Sequence, residues 1–240
     1  MIEKAEASPA LHKEIWKELI LLWLGTLLLI RLIVFVQAAL GLHELVLGFV
    51  PLLFVYVPVW LCDWRGVDSW GYQLSIPAFR DGKSWGKAFL FCLCMNLLLW
   101  PWYAPLYHYW IGMIAGKTFI GTLPQDLWLT VAYHFFYVAI PEEFFYRGYM
   151  QTRLDEYYPK NISIFGTSIG KGLVYSSILF AFGHSIVQLQ WWHFAIFFPS
   201  LIFGWMRERS GGILAGAMFH ACCNVGITIL DTMYGVRSPY

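Results

Sequence analysis

The chain has 240 residues, 59% of them hydrophobic and 13% charged, with a formal net charge of +1. A soluble domain is about 45–50% apolar and about 25% charged, so this composition cannot supply the polar surface of a soluble globule. It points to an integral membrane protein, and the near-neutral charge leaves no basic footprint for nucleic acid.

The first apolar run, 15–40, is too long for a signal-peptide core, and no small-residue cleavage site follows it. It is expected to be a retained membrane helix. Further runs of the length a bilayer needs follow at 44–61, 87–104, 126–150, 172–188, 191–206 and 212–230. Prolines inside them (Pro51, Pro58, Pro199) are tolerated where neighbouring helices satisfy the backbone. The polar insertion 62–86 reads as an interfacial segment or a plain loop. With no internal repeat and no low-complexity linker, the expected fold is all-α: a polytopic bundle of about seven (6–8) transmembrane helices, forming one membrane domain over 1–240. The five cysteines (Cys62, Cys92, Cys94, Cys222, Cys223) lack CxxC spacing and read as small apolar core residues.

Loop charges set an orientation. Lys4, Lys13 and Lys17 precede the first run, Arg65, Arg80 and Lys83 follow the second, Arg153, Lys160 and Lys171 follow the fourth, and Arg207 and Arg209 follow the sixth. The turns near 41–44 and 188–191 carry no Lys or Arg, and 105–125 carries only Lys117. By the positive-inside rule the N-terminus is cytoplasmic and the C-terminus outside. The short, lean loops suggest a prokaryotic inner membrane.

Ionisable groups inside such spans are costly, and they mark function by default. The stretch "IPEEFFYRGYM" places Glu142, Glu143 and Arg147 within six residues. Glu143 and Arg147 are four apart and share a helix face, so they can pair. Glu142 is turned about 100° away and can face a cavity. His184 closes "SSILFAFGH", with Phe180 four residues earlier, and His220 and Asn224 share a face in "FHACCN". Counted at 1.5 Å per residue, Glu142 lies roughly 10 Å from the basic end of its helix. His184 lies roughly 18 Å from the start of its own, and His220 and Asn224 roughly 12 to 18 Å in. A carboxyl group partly removed from water can act as a base near neutral pH, and a neighbouring His and Asn can stabilise an oxyanion. The set fits hydrolysis of an acyl bond such as a peptide. A metal variant would use Glu142, His184 and His220 as ligands, although the His pair at i,i+4 typical of zinc proteases is missing. His134, Arg31 and Asn96 are further intramembrane polar residues. His134 is expected to be structural, and Arg31 to pair with an acid or a lipid phosphate.

"PEEFFYRG", "FAFGH" and "HACCN" resemble, in order, the EExxxR, FxxxH and HxxxN motifs of the CPBP family, the CAAX- and bacteriocin-processing intramembrane proteases also called Abi proteins. The resemblance covers about 126–230 and implies a glutamic-type intramembrane endopeptidase acting on a membrane-anchored peptide or protein tail. It implies that Glu142 and His184 activate water, that His220 and Asn224 form the oxyanion site, and that Glu143, Arg147 and Phe180 are supporting. It implies no cofactor, although a zinc-dependent variant is the older description of the family. The competing readings are a non-catalytic membrane chaperone or immunity protein on the same scaffold, and a transporter with a proton-linked carboxylate.

Overall fold

The computed structural model describes residues 9–68 and 82–236. Most of the polar insertion at 62–86 lies outside the described residues, as do Lys4 and Arg80. The described chain forms seven continuous helical stretches. They are α1 (Pro9–Leu40), α2 (Phe49–Trp64, entered through a 3-10 turn at Glu44–Gly48), α3 (Gly82–His108, prolonged by a π turn at Tyr109–Ile114), α4 (127–155), α5 (Lys171–Gln188), α6 (Phe197–Ser210, entered through a 3-10 turn at Trp191–Ile196) and α7 (Leu214–Met233). These coincide with the seven runs expected from hydropathy. Four of them are long and apolar enough to cross a bilayer: Ala10–Leu40, Val46–Trp64, Lys83–Ile114 and Leu214–Met233. The other three are shorter or carry the ionisable groups, which lowers their mean hydropathy.

Among the described residues, strand structure is confined to a small antiparallel hairpin between α4 and α5. It consists of β1 (Ile162–Ile164) and β2 (Thr167–Ile169), with Ile162 opposite Ile169 and Ile164 opposite Thr167. The hairpin is short and its composition mixed, so the expected loop 151–171 gave no alternation to read.

Several helices stop the same way. Gly41, Gly66 and Gly235 take left-handed φ just past α1, α2 and α7, where a residue with a Cβ would be strained. In each case the next amide reaches back to a carbonyl of the last turn: Leu42 N–H to Gln37 O, Val67 N–H to Cys62 O, and Val236 N–H to Asp231 O. The end of α5 uses the same bond, Gln190 N–H to Ser185 O, but places Leu189 at the left-handed position.

The chain divides into two compact units, 1–76 with 141–213, and 77–140 with 214–240. In the first, α1 presents Ile15, Leu19, Trp23, Leu27 and Ile30 along one seam to Phe144, Phe145, Tyr149 and Met150 of α4 and to Leu179 and Phe180 of α5. The opposite side of α1 exposes Leu21, Leu24, Leu28, Leu32 and Phe35. A helix that is apolar all round, with one side packed and the other open, suits lipid rather than water as its solvent. Arg31 donates to the Val187 carbonyl at 3.0 Å near the C-terminal end of α5, a backbone partner that the sequence does not foretell.

In the second unit α3 and α7 pack side by side. Gly226 leaves room for the Trp100 ring, and Ala139, Ala217 and Ala221 form a small-residue contact of the kind that lets membrane helices approach. Asn96 is absorbed locally, donating to Cys92 O at 2.8 Å and accepting from the Trp100 indole at 2.7 Å. Cys62 and Cys92 are buried as expected, whereas Cys94 and Cys222 are exposed, with Cys222 Sγ 3.8 Å from Cys92 Sγ.

The polar ends of the first unit's helices gather. Glu18 of α1 binds Arg153 (3.1 Å) at the end of α4 and approaches Arg65 (3.7 Å) just past α2. The Tyr149 hydroxyl also donates to Glu18. Asp155, Lys160, Arg207 and Glu208 form a second network, with Lys160 Nζ 3.2 Å from Asp155 and 2.6 Å from Glu208. Burial pushes the Asp155 carboxyl up to about 6, outweighing Lys160 and Arg207, cations that Glu208 also draws on. Arg207 and Lys160 hold Glu208 below its ordinary value against burial. Asp155 is thus raised above its unfolded value. Its contribution to stability is complete below about pH 4 and is lost as pH rises through about 6. Glu208 acts in the opposite sense, with a contribution lost only as pH falls below its ordinary carboxylate range. Asp155 therefore contributes a component of Tm that falls as pH rises between about 4.5 and 6.5, and Asp155→Asn should remove it, so that the variant gains Tm relative to the wild type across that window. Thermal unfolding at the two pH values checks both.

Candidate active site

α4 carries the first motif and is not a regular α-helix. A π turn occupies Tyr133–Ala139, regular α geometry holds Ile140–Glu143, and a second π turn covers Phe144–Gln151. Pro141 has no N–H to offer the carbonyl of Tyr137, and its ring crowds that carbonyl. Widening the preceding turn relieves both. The helix also continues to Asp155, beyond the apolar run that predicts its end near 150, because Arg153 and Asp155 find ion-pair partners on other helices. Glu142 is therefore thirteen residues from the end of α4, roughly 20 Å, and not the 10 Å expected. His184 is thirteen residues from the start of α5, again roughly 20 Å. The two side chains stand at matching depth on antiparallel neighbours.

They meet there. His184 Nε2 lies 3.6 Å from Glu142 Oε2, each side chain retaining about 15% exposure (15% and 14%). His184 Nδ1 is 3.0 Å from the Phe180 carbonyl oxygen. A carbonyl can only accept, so Nδ1 carries the proton and the Nε2 edge faces Glu142. In the neutral tautomer that edge is a lone pair. A lone pair and a carboxylate oxygen 3.6 Å apart are both acceptors, so a proton or a water bridging them satisfies the pair.

Glu143 and Arg147 are fully buried, with Arg147 Nη1 3.1 Å from Glu143 Oε1. Arg147 Nη2 also donates to Ser200 O (3.0 Å) and Ser200 Oγ (2.6 Å) of α6. The guanidinium sits 4.4 Å from the Phe180 ring centre and 5.4 Å from that of Phe203. Phe180 also contacts the His184 ring at 4.4 Å between centres, so one aromatic side chain touches both the cation and the imidazole. Ser200 and Phe203 were not expected from the sequence. They lie more than fifty residues from Arg147, and nothing in their local pattern marks them.

Gly183, beside His184, is required by close packing. A Cβ there would lie 2.7 Å from the Tyr146 hydroxyl and 3.4 Å from the Trp23 indole nitrogen. Gly183→Ala is expected to cost about 1–3 kcal/mol by overpacking, read as a lowered Tm, and larger side chains more.

His220 is buried and Asn224 half-buried, one turn apart on α7 in the second unit. Beside them His134 Nε2 is 3.1 Å from Thr228 Oγ1, which itself donates to Asn224 O at 2.9 Å. His134 is thus tied to α7 one turn past Asn224. Among the described residues no three His, Cys, Asp or Glu side chains gather to hold a metal ion.

The carboxylate–imidazole pair thus sits well below the polar ends of the two helices that carry it. Residues 124–226, which contain all three motifs, match the family model described as type II CAAX prenyl endopeptidase Rce1-like, a match over less than half of the chain. That description names an endopeptidase. No curated protein and no solved structure matches the chain.

Proposed function

We propose that the protein is an intramembrane endopeptidase that cleaves the tail of a membrane-anchored peptide or protein, with Glu142 as base and His184 as its partner. The observation that carries this reading is the 3.6 Å approach of His184 Nε2 to Glu142 Oε2, with Nδ1 tied to Phe180 O. A water between the two acceptors gives one proton to Glu142 as its oxygen attacks the scissile carbonyl, and His184 orients it. The protonated Glu142 then returns the proton to the departing amine. His220 and Asn224 are assigned to the oxyanion on motif identity, with the imidazole and carboxamide N–H groups as donors. Glu143, Arg147 and Phe180 hold the helix that carries the base. The reaction needs no redox or electrophilic cofactor. We take 1–240 as one membrane domain. The recurrence of basic residues at alternate segment ends supports a cytoplasmic N-terminus and an external C-terminus, and the short, lean loops are the ground for placement in a prokaryotic inner membrane.

The test is cleavage in proteoliposomes of a prenylated CAAX peptide, its unprenylated twin and an unlipidated transmembrane tail, with products read by mass spectrometry. Release of a defined C-terminal fragment from at least one substrate by the wild type, but not by Glu142→Gln, is expected. Identical product spectra from the two proteins would remove the protease reading. A prenyl requirement would place the substrate class with the matched family, and cleavage of the bare tail would place it with leader or sorting-signal processing.

A further inference from the structure

Among the described residues, two that are not glycine take left-handed φ, Phe165 (50°) and Leu189 (54°). They stand at the two ends of α5, the helix that carries His184. Both are large apolar side chains at positions where Gly or Asn would be unstrained. Both point outward, Phe165 at 84% and Leu189 at 72% exposure. Phe165 and Gly166 form the tip of the hairpin, a turn in which both central residues need positive φ and Asn-Gly is the usual pair. The hairpin backbone is pinned to α6, since Arg209 donates to Phe165 O at 2.8 Å and the Trp205 indole to Ile164 O at 3.2 Å. Its outer strand leaves Ile162 and Ile164 open beside Phe165. At the far end Leu189 is followed by Trp191 and Trp192, also exposed.

We infer that these two turns are interfacial anchors. Phe165 with Ile162 and Ile164 at one end, and Leu189 with Trp191 and Trp192 at the other, seat in the headgroup–acyl boundary of the two leaflets and fix the depth of α5. Three features select lipid as the partner. α5 has 18 residues, about 27 Å, so turns at its two ends fall near the two faces of a hydrocarbon core of about 30 Å. The hairpin end adds exposed Lys171 and Arg209, which suit anionic headgroups. The turn at the opposite end has no Lys or Arg of its own, the nearby Arg31 of α1 donating to Val187 O, but it has two tryptophans, the usual occupants of the membrane–water boundary. The strain at each turn is retained because a side chain without apolar reach would give up the seat in the boundary that sets the depth of α5 and the helices packed on it. This inference rests on reading α5 as a bilayer-crossing helix of the proposed protease, and its readout is independent of catalysis.

The test places the photoreactive residue p-benzoylphenylalanine at Phe165 and, separately, at Leu189 in the full chain, in proteoliposomes of phosphatidylglycerol and phosphatidylcholine. Irradiation is expected to give phospholipid adducts at both sites by mass spectrometry, and markedly less adduct from Ser168 on the other face of the hairpin. Adducts to a second copy of the chain or to peptide, or no lipid adduct at either site, would overturn the inference. A second measurement uses Phe165→Asn and Leu189→Asn, which relieve the backbone but remove the anchor. The inference expects each to lower Tm in the bilayer by a few degrees, and a rise would overturn it. Lipid adducts from a protein that cleaves nothing would leave the anchors standing and remove only the protease reading.

Discussion

Glu142→Gln is expected to lower the rate of tail cleavage by about 10²–10⁴-fold while leaving the fold intact. The substitution keeps the size of the side chain, and the partial exposure of Glu142 means that a carboxamide there strands no deeply buried charge. Gln cannot take a proton from water, so the loss falls on the chemical step and appears in kcat. His184→Asn should give a loss of similar order, because the remaining acceptor then orients the water alone. The two side chains work on one water, so their effects should not multiply, and the double variant is expected to be little slower than the worse single one. Glu143→Gln is the contrasting control. One position along the helix, it should lower Tm because its partner Arg147 is fully buried. Initial rates with a single cleavable tail, alongside thermal unfolding of each purified variant, check the pattern. Equal activity of Glu142→Gln and wild type would contradict the assignment of the base.

Much of this arrangement was legible in the residues. Hydropathy located all seven helical stretches, because a lipid-facing helix such as α1 is apolar on every side and its signal does not depend on tertiary contacts. The i,i+4 spacing foretold the Glu143–Arg147 pair, and the same arithmetic turned Glu142 away from it. Depth was less well read. The polar residues from Arg153 to Asp155 look like a helix end until Glu18 and Arg207, far away in sequence, neutralise them and let α4 run on. That extension is what brings Glu142 level with His184. Other features depend on partners that no local pattern encodes: Ser200 and Phe203 around Arg147, the Val187 carbonyl for Arg31, and Tyr146 and Trp23 beneath Gly183. The roles of His220 and Asn224 rest on motif and helix face alone.

Arg147→Met is expected to destabilise the protein by about 3–5 kcal/mol, roughly 10 °C in Tm for a chain of this size. The reason is asymmetric. Desolvating a carboxylate and a guanidinium is costly, and the ion pair at 3.1 Å offsets that cost only with help from its surroundings. Here the help is specific: two hydrogen bonds that Arg147 Nη2 donates to Ser200 O and Oγ, and the faces of Phe180 and Phe203. Removing Arg147 alone leaves Glu143 fully buried with its cation gone, which is the expensive outcome. Removing both charges, as in Glu143→Gln with Arg147→Met, discards the attraction and the desolvation together. The double variant is therefore expected to recover more than half of the stability lost by the single one. The difference measures the coupling directly. Phe180 extends the consequence to the site, because the ring that lies over Arg147 also packs on His184. When the guanidinium is replaced, Phe180 is free to settle into the space, and His184 loses the contact that orients its ring. The recovered double variant should consequently be stable yet slow, with Tm near wild type and a cleavage rate reduced by about ten-fold or more, since small displacements of catalytic groups cost rate steeply. A double variant restored in both Tm and rate would show that the ion pair serves folding alone and that Phe180 needs no cation to hold His184 against Glu142.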